Sequence, residues 1–161
     1  MQLVYMYMDS PVGALKLVAH DQALVAVMWD NEDHKRVRLA ELIENIQHPM
    51  LLKVKQQLEQ YFAGQRQQFN LPLDFQGTDF QQQVWRALLT IPYGETRSYK
   101  DIALQIGNEK AVRAVGAANG RSPISIIAPC HRVVGANGKL VGFAGGLDNK
   151  DILLKLEKIA N

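Results

Sequence analysis

The chain has 161 residues, 47% of them apolar, which suits one domain or two small ones sharing a boundary and supplies a sizeable core. A single cysteine excludes an internal disulfide framework or a multi-cysteine zinc site and points to a reducing compartment. The net charge of +2 is unevenly spread, with eight Lys/Arg against three Asp/Glu in residues 86–139, a balance that fits polyanion binding and equally a solvated surface.

The opening Met1-Gln2-Leu3-Val4-Tyr5-Met6 lacks a signal-peptide pattern, and no apolar run approaches the roughly 20 residues that cross a bilayer, so a cytoplasmic protein is expected. Residues 3–8, 13–20 and 23–29 are apolar or alternating runs. Asp9-Ser10-Pro11-Val12-Gly13 and Asp21-Gln22 break them, which reads as a three-stranded meander. A helix is predicted over residues 33–46, where Val37 and the apolar positions from 39 to 46 oppose a charged side. A second helix begins at Pro49, a residue suited to the first helical position. Leu51, Val54, Leu58, Tyr61 and Phe62 share one stripe of it, and Gly64 ends it. Residues 65–77 read as an ordered connector, dividing a domain 1–77 from a domain 78–161. Thr78 with Gln81 three residues on makes a capping box, Phe80, Val84, Trp85, Leu88 and Leu89 form the buried face, and Pro92 and Gly94 stop the helix.

Ser98 and Asp101 repeat the capping-box spacing and open a short helix from 99 to about 106. Gly107 supplies a left-handed turn, and Asn108 is expected to cap a further helix running to about Ala118. Two helices joined by a tight glycine turn are the helix-turn-helix signature, and equally an ordinary αα-hairpin. Val112 and Val115 are expected to face inward, leaving Arg113, Ala114 and Ala117 on another face. A helix reading the major groove carries several long polar side chains, whereas this one offers a single arginine on a nearly bare surface. Small side chains permit close approach to a minor groove about 6 Å wide, with Arg113 as a wedge into the base stack. The structural alternative for Arg113 is a salt bridge to Glu109.

The lone cysteine stands in Pro129-Cys130-His131-Arg132-Val133, after an apolar approach over 124–129. An isolated cysteine usually packs as a small hydrophobe. The neighbouring imidazole favours nucleophilic sulfur chemistry, because the thiolate is the reactive form and an ordinary thiol with pKa about 8.5 needs a base or a positive field. Extended backbone would send Cys130 and His131 to opposite faces, so a bridging water or a local turn is required. The C-terminal helix over 149–160 is predicted to bury Ile152, Leu153, Leu156 and Ile159. Glu157 adjoins that stripe and either returns to the site or stands as a solvated charge. His20, His34, His48 and His131 lack ligand spacing, so neither a metal nor an organic cofactor is expected.

Four segments resemble one family in order and spacing: Gly94-Glu95-Thr96-Arg97-Ser98-Tyr99, Arg113-Ala114-Val115-Gly116, Pro129-Cys130-His131-Arg132-Val133-Val134 and Val141-Gly142-Phe143-Ala144-Gly145-Gly146-Leu147. The chain resembles the O6-alkylguanine-DNA alkyltransferases, closest to the small bacterial type; its N-terminal half matches mainly by layout. The resemblance implies an α/β (α+β) fold. A ribonuclease H-like N-terminal domain, with a three-stranded antiparallel sheet and helices, precedes a mainly helical, winged helix-turn-helix-like domain. It also implies DNA repair by direct reversal: an irreversible, stoichiometric transfer of an alkyl group from O6-alkylguanine, and less well O4-methylthymine, to Cys130. Double-stranded DNA containing the lesion is the implied partner, and a monomer the implied form.

By the same resemblance, Cys130 is the nucleophile, His131 acts on it through water, and Glu157 orients His131. Tyr99 helps rotate the nucleotide out and donates to the purine. Arg113 fills the vacated stack, with Ala114, Ala117, Lys110 and Arg121 also on the DNA. Gly142, Phe143, Ala144, Gly145 and Gly146 line the base pocket. One departure stands out: Ser122 precedes Pro123 where many members have asparagine. Serine makes fewer hydrogen bonds, and Asn119 or Arg121 are the candidates to compensate. Two other readings compete. A hydrolase triad of Cys130, His131 and Glu157 would need an oxyanion hole, for which no donor pair stands out. A non-catalytic helix-turn-helix binder is disfavoured by the reactive cysteine.

Overall fold

The computed structural model describes residues 2–33, 36–136, 138 and 142–159, with Ile159 described by its backbone alone. Strands β1 (Leu3–Met8), β2 (Leu15–Ala19) and β3 (Leu24–Trp29) form the expected antiparallel meander, with Met6 opposite Leu17 and Leu17 opposite Val27. Ser10 Oγ accepts from the Val12 amide at 3.1 Å in the first turn, and His20 Nδ1 accepts from Gln22 at 3.1 Å in the second. Helix α1 (Pro49–Phe62) starts behind His48, whose ring accepts from the Met50 amide, and it buries Leu51, Val54, Leu58 and Tyr61. Alternate residues Val4, Met6, Met8, Leu15 and Leu17 belong to the same core as those four.

The helix expected over 33–46 does not form. Its C-terminal part is instead strand β4 (Leu42–Glu44), parallel to β1 with Ile43 opposite Val4, which makes the sheet order β3-β2-β1-β4. A second apolar set of the sheet, Leu3, Val18, Val25, Ala26 and Met28, is buried where Val37, Leu39 and Leu42 pack against it. An extended chain lays those three side chains along the sheet while its backbone pairs with the open edge of β1, which a helix would leave unpaired. His34 and Lys35, also within that expected helix, lie outside the described residues.

Helix α2 (Asp79–Leu88) opens with both capping-box hydrogen bonds of Thr78 and Gln81 and buries Val84, Trp85 and Leu88, while Leu89 is exposed. Trp85 Nε1 donates to Ala118 O at 2.8 Å, fixing α2 against the helix that follows the turn. Strand β5 (Arg97–Ser98) leads into α3 (Tyr99–Gln105), capped by Ser98 and Asp101 as expected, and Gly107 has φ +77°. Asn108 does not cap the next helix. Its amide closes the end of α3 by donating to Ala103 O at 2.9 Å, a Schellman-type ending, so α4 (Val112–Gly120) begins behind Ala111. The later start leaves Val112 exposed and Val115, Ala118 and Asn119 buried.

The segment before the cysteine is stitched to the sheet. Val27 N donates to Pro123 O at 2.9 Å and Ser125 N donates to Val27 O at 3.1 Å, which covers the edge strand β3. Strand β6 (Val133–Val134) pairs in parallel with β5. Helix α5 (Leu147–Ile159) starts two residues earlier than expected and buries Lys150, Leu153 and Glu157; Ile152 is exposed rather than buried. Among the described residues no helix is long and apolar enough to cross a membrane.

Candidate active site and DNA-facing helix

The cysteine segment is not extended. A single 3-10 turn, Cys130–Arg132, follows Pro129, with Cys130 N donating to Ala128 O at 2.7 Å and Arg132 N to Pro129 O at 2.9 Å. Turning replaces the alternation of a strand, so three consecutive side chains all enter the interior: Cys130 is 3% exposed, His131 0% and Arg132 6%.

Glu157 is the hub beneath that turn. One carboxylate oxygen, Oε2, accepts from His131 Nε2 at 2.7 Å, Tyr61 Oη at 2.6 Å and Arg132 Nη2 at 3.0 Å; the other accepts from Arg132 Nε at 2.8 Å. Arg132 is anchored further by Nη1 donating to Ile91 O at 2.7 Å. Burial alone would raise the Glu157 carboxyl, but hydrogen bonding to His131 and Arg132 and the adjoining positive charge hold it well below its ordinary value. Burial pushes the imidazole down against the opposing pull of Glu157, so His131 is neutral and Arg132 is the cation that keeps Glu157 ionised. An ionised carboxylate only accepts, which places the imidazole proton on Nε2 and leaves Nδ1 as a lone pair. Nδ1 is buried and has no partner among the described residues.

Burial raises the Cys130 thiol, opposed by the charges of Arg36 and Lys150 and by hydrogen bonding from Ser125 and the Ile126 backbone. Lys150, fully buried, donates to Val133 O at 2.6 Å. Tyr99 is half-buried, and burial raises its phenol above the ordinary value, so it stays protonated. The departure at Ser122 has a clear outcome: its buried hydroxyl has no partner among the described residues. Asn119 Nδ2 reaches Cys130 O at 3.5 Å, and Arg36 Nη1 donates to Ser122 O at 2.7 Å and to Gly120 O at 3.3 Å. Arg121, the other expected compensator, is exposed.

Arg113, Ala114 and Ala117 are exposed on α4, with Lys110 before the helix and Arg121 after it also exposed. Glu109 lies outside α4, and among the described residues Arg113 has no ion-pair partner. Phe143, Ala144 and Gly145 are half-buried, while Gly142 and Gly146 are exposed; Val141 lies outside the described residues. The Phe143 ring meets Trp29 edge-on at 5.1 Å, and Asn149 Nδ2 donates to Gly145 O at 2.8 Å. A cleft of about 520 Å³, with Phe69, Tyr93, Pro129 and Arg132 in its wall, reaches the flank of the cysteine turn but is not lined by Cys130. A cleft of about 370 Å³ lined by Tyr7, Lys16 and Leu39 lies on the outer face of the sheet, away from the thiol. Among the described residues no His, Cys, Asp and Glu group gathers to hold a metal.

Sequence reasoning singled out Cys130, His131, Glu157 and Tyr99, but not Tyr61, Arg132, Lys150, Arg36 or Trp29. Tyr61 reads as core stripe, and Arg132 lies within the cysteine motif with no hint in the sequence that its charge turns inward.

The cysteine turn is thus held over a buried hub of Glu157, His131 and Arg132, while α4 exposes Arg113, Ala114 and Ala117. A family model for the 6-O-methylguanine DNA methyltransferase DNA binding domain matches residues 79–159, and one for the ribonuclease-like domain of the same family matches residues 3–75. The methylated-DNA–protein-cysteine methyltransferase of Mycobacterium leprae is 51% identical over 151 residues, which are 94% of this chain and 90% of that protein. The constitutive one of Bacillus subtilis is 46% identical over 160 residues, 97% and 96% of the two chains. The crystal structure of Mycobacterium tuberculosis OGT in complex with DNA superposes with a TM-score of 0.89 at 48% identity, covering 98% of this chain and 94% of that one. The chain belongs to the 6-O-methylguanine DNA methyltransferase family, and its mixed α/β fold is that of the family.

Proposed function

We propose that this protein repairs DNA by direct reversal, moving the alkyl group of O6-alkylguanine irreversibly to Cys130. The observation that carries the reading is the buried line from Glu157 through His131 toward the only thiol. The unprotonated Nδ1 of His131 takes the thiol proton through a bridging water, with Glu157 holding the imidazole tautomer that makes this possible. The sulfur lone pair attacks the alkyl carbon, the S–C bond forms as the C–O6 bond breaks, and that electron pair passes to the purine. Tyr99, kept protonated by burial, donates to the departing base and is reprotonated by the imidazolium. The thioether has no hydrolytic exit, so each molecule acts once. O4-methylthymine reacts by the same step, less well.

Duplex DNA lies along α4, where Ala114 and Ala117 permit close approach, Arg113 takes the place of the extruded nucleotide, and Lys110 and Arg121 hold phosphates. The base enters against residues 142–146, and the half-buried Phe143, Ala144 and Gly145 shift to admit it to Cys130, which is 3% exposed before DNA binds. The protein works as a monomer, with residues 1–77 bracing the site and residues 78–161 supplying it. Incubation of the intact chain with a duplex carrying one O6-methylguanine, followed by intact mass and peptide mapping, tests this directly. One methyl on the Cys130 peptide is expected, and Cys130→Ser binds the duplex without acquiring it. Repeated turnover, or a methyl on another peptide, overturns the proposal and favours the hydrolase alternative or another acceptor.

A further inference from the structure

We propose that Trp29, a residue of the N-terminal sheet, determines which alkyl groups Cys130 accepts, by limiting how far residues 143–145 can stand back from the cysteine turn. The inference deepens the proposed function and rests on it, with Cys130 as the acceptor and residues 142–146 lining the base pocket. Trp29 ends β3, where alternation along the strand sends it to the same face as Val27. Val27 is the residue that pins the approach to the cysteine, through Pro123 O and Ser125 N. Val27, Trp29, Ile124, Ile126 and Cys130 share one core, and Phe143 packs against it.

Phe143 ties the wall to both sides of the site. Its ring meets the Trp29 indole edge-on at 5.1 Å, and Lys150 Nζ lies 5.9 Å from its centroid. The same Nζ donates at 2.6 Å to Val133 O, in the residue that follows the cysteine turn. Residues 143–145 therefore stand beside the turn and against the sheet at once.

The place of contact is Gly145. A Cβ there would lie 2.5 Å from Trp29 Cε2, 2.6 Å from Cζ2 and 2.8 Å from Cδ2, whereas at Gly142 and Gly146 it would meet nothing within 4 Å. Gly145 has no left-handed backbone to explain a glycine, so the indole is what requires one. The indole is also a fixed stop. Trp29 is 3% exposed, its Nε1 donates to Val12 O at 2.9 Å, and its main-chain N–H donates to Glu32 Oε1 at 2.8 Å. When residues 143–145 shift to admit a base, retreat onto the sheet is closed to them, because the backbone at 145 already rests on the ring.

The room beside the sulfur thus depends on the width of a side chain from the other half of the chain. A smaller residue at 29 leaves space that a close-packed interior fills by relaxation of its neighbours, and the neighbour free to move is the wall. A methyl group gains little from the added room, whereas a benzyl group gains the clearance it needs.

The test uses the full chain and one duplex sequence carrying either O6-methylguanine or O6-benzylguanine at the same position, with transfer to Cys130 followed by intact mass. Trp29→Leu is expected to raise the ratio of benzyl to methyl transfer rates about tenfold, the scale on which apolar pockets discriminate by size. Trp29→Phe, which keeps a ring and a conservative core, should raise it about threefold and carries the test if the leucine variant does not fold. The ratio is the decisive reading, since damage to the fold slows both substrates together. An unchanged or lowered ratio in a folded variant, even with both rates reduced, overturns the proposal. Failure of the unsubstituted chain to take either group onto Cys130 would instead count against the proposed function.

Discussion

The Tyr61 hydroxyl donates to Glu157 Oε2 at 2.6 Å, joining residues 96 positions apart. Helix α1 thereby reaches from beneath the N-terminal sheet into the hub under the cysteine turn. Burial, then the Glu157 charge, raises the Tyr61 phenol, so it can only donate. The oxygen it serves is the one that fixes His131, which makes a residue of the sheet half part of the device that sets the imidazole tautomer.

Removing that hydroxyl tests the link. Tyr61→Phe keeps the ring among Phe62, Phe69 and Tyr93 and deletes one hydrogen bond to a buried carboxylate. A loss of about 1.5–3 kcal/mol in urea unfolding is expected, with an unchanged denaturant slope. Transfer to Cys130 should slow less than in His131→Ala, because His131 and Arg132 still hold Glu157. Stability equal to wild type would show that the hydroxyl contributes nothing to the hub.

Much of the site was legible because it is carried by residues whose chemistry is local. Cys130 and His131 adjoin, and the capping boxes at Thr78 and Ser98 sit at fixed offsets that appear as both expected hydrogen bonds. What escaped depends on long-range packing. The charged segment 33–46 carries helix-like spacing, yet an uncovered sheet face and the open edge of β1 draw it into β4. Asn108 has a capping residue's chemistry, but the end of α3 claims its amide first. Arg36 and Tyr61 contact the site from 86 and 96 positions away, and no spacing rule links them to it.

Acid should weaken the fold through two groups of the hub. Glu157 is held below its ordinary 4.5, so its contribution is complete above that value and is lost as pH falls from 4.5 through the folded value. His131 is held below its ordinary 6.5, so the unfolded chain takes up a proton first and stability begins to fall once pH drops below 6.5. Denaturant melts between neutral pH and the acid limit should therefore show a decline in two stages. Glu157→Gln is expected to lose about 3–5 kcal/mol at neutral pH, since Arg132 is left buried without its carboxylate, and to show a flatter second stage. A variant with the same steep dependence below 4.5 would place the acid-sensitive group elsewhere.

In the proposed function, Arg113 separates recognition of the duplex from chemistry on the base. It is exposed and unpaired among the described residues, so Arg113→Ala should change stability by no more than about 0.5 kcal/mol. Repair of O6-methylguanine in a duplex should fall steeply while the reaction with free O6-benzylguanine holds, because only the duplex requires the vacated stack to be filled. Lys110→Ala and Arg121→Ala should each weaken DNA binding without regard to sequence and lower the salt slope by about one. Equal losses of Arg113→Ala on duplex and free base would remove it from base extrusion.

Gly145 and Phe143, in the proposed wall of the base pocket, lie against Trp29. Gly145 has an ordinary backbone conformation, yet a Cβ there would lie 2.5 Å from Trp29 Cε2 and 2.6 Å from Cζ2. The indole cannot step aside freely, because Trp29 is 3% exposed, its Nε1 donates to Val12 O at 2.9 Å, and its ring abuts Phe143. Gly145→Ala should therefore push residues 142–146 off the indole, at a cost of about 1–3 kcal/mol. Reaction with free O6-benzylguanine should slow, while duplex binding, measured in a Cys130→Ser background, stays near wild type. Trp29→Leu removes the obstructing ring, so the double variant should react faster than Gly145→Ala alone, a coupling that additive effects cannot produce. Undiminished reaction in Gly145→Ala would mean that the segment on Trp29 does not shape the space the base enters.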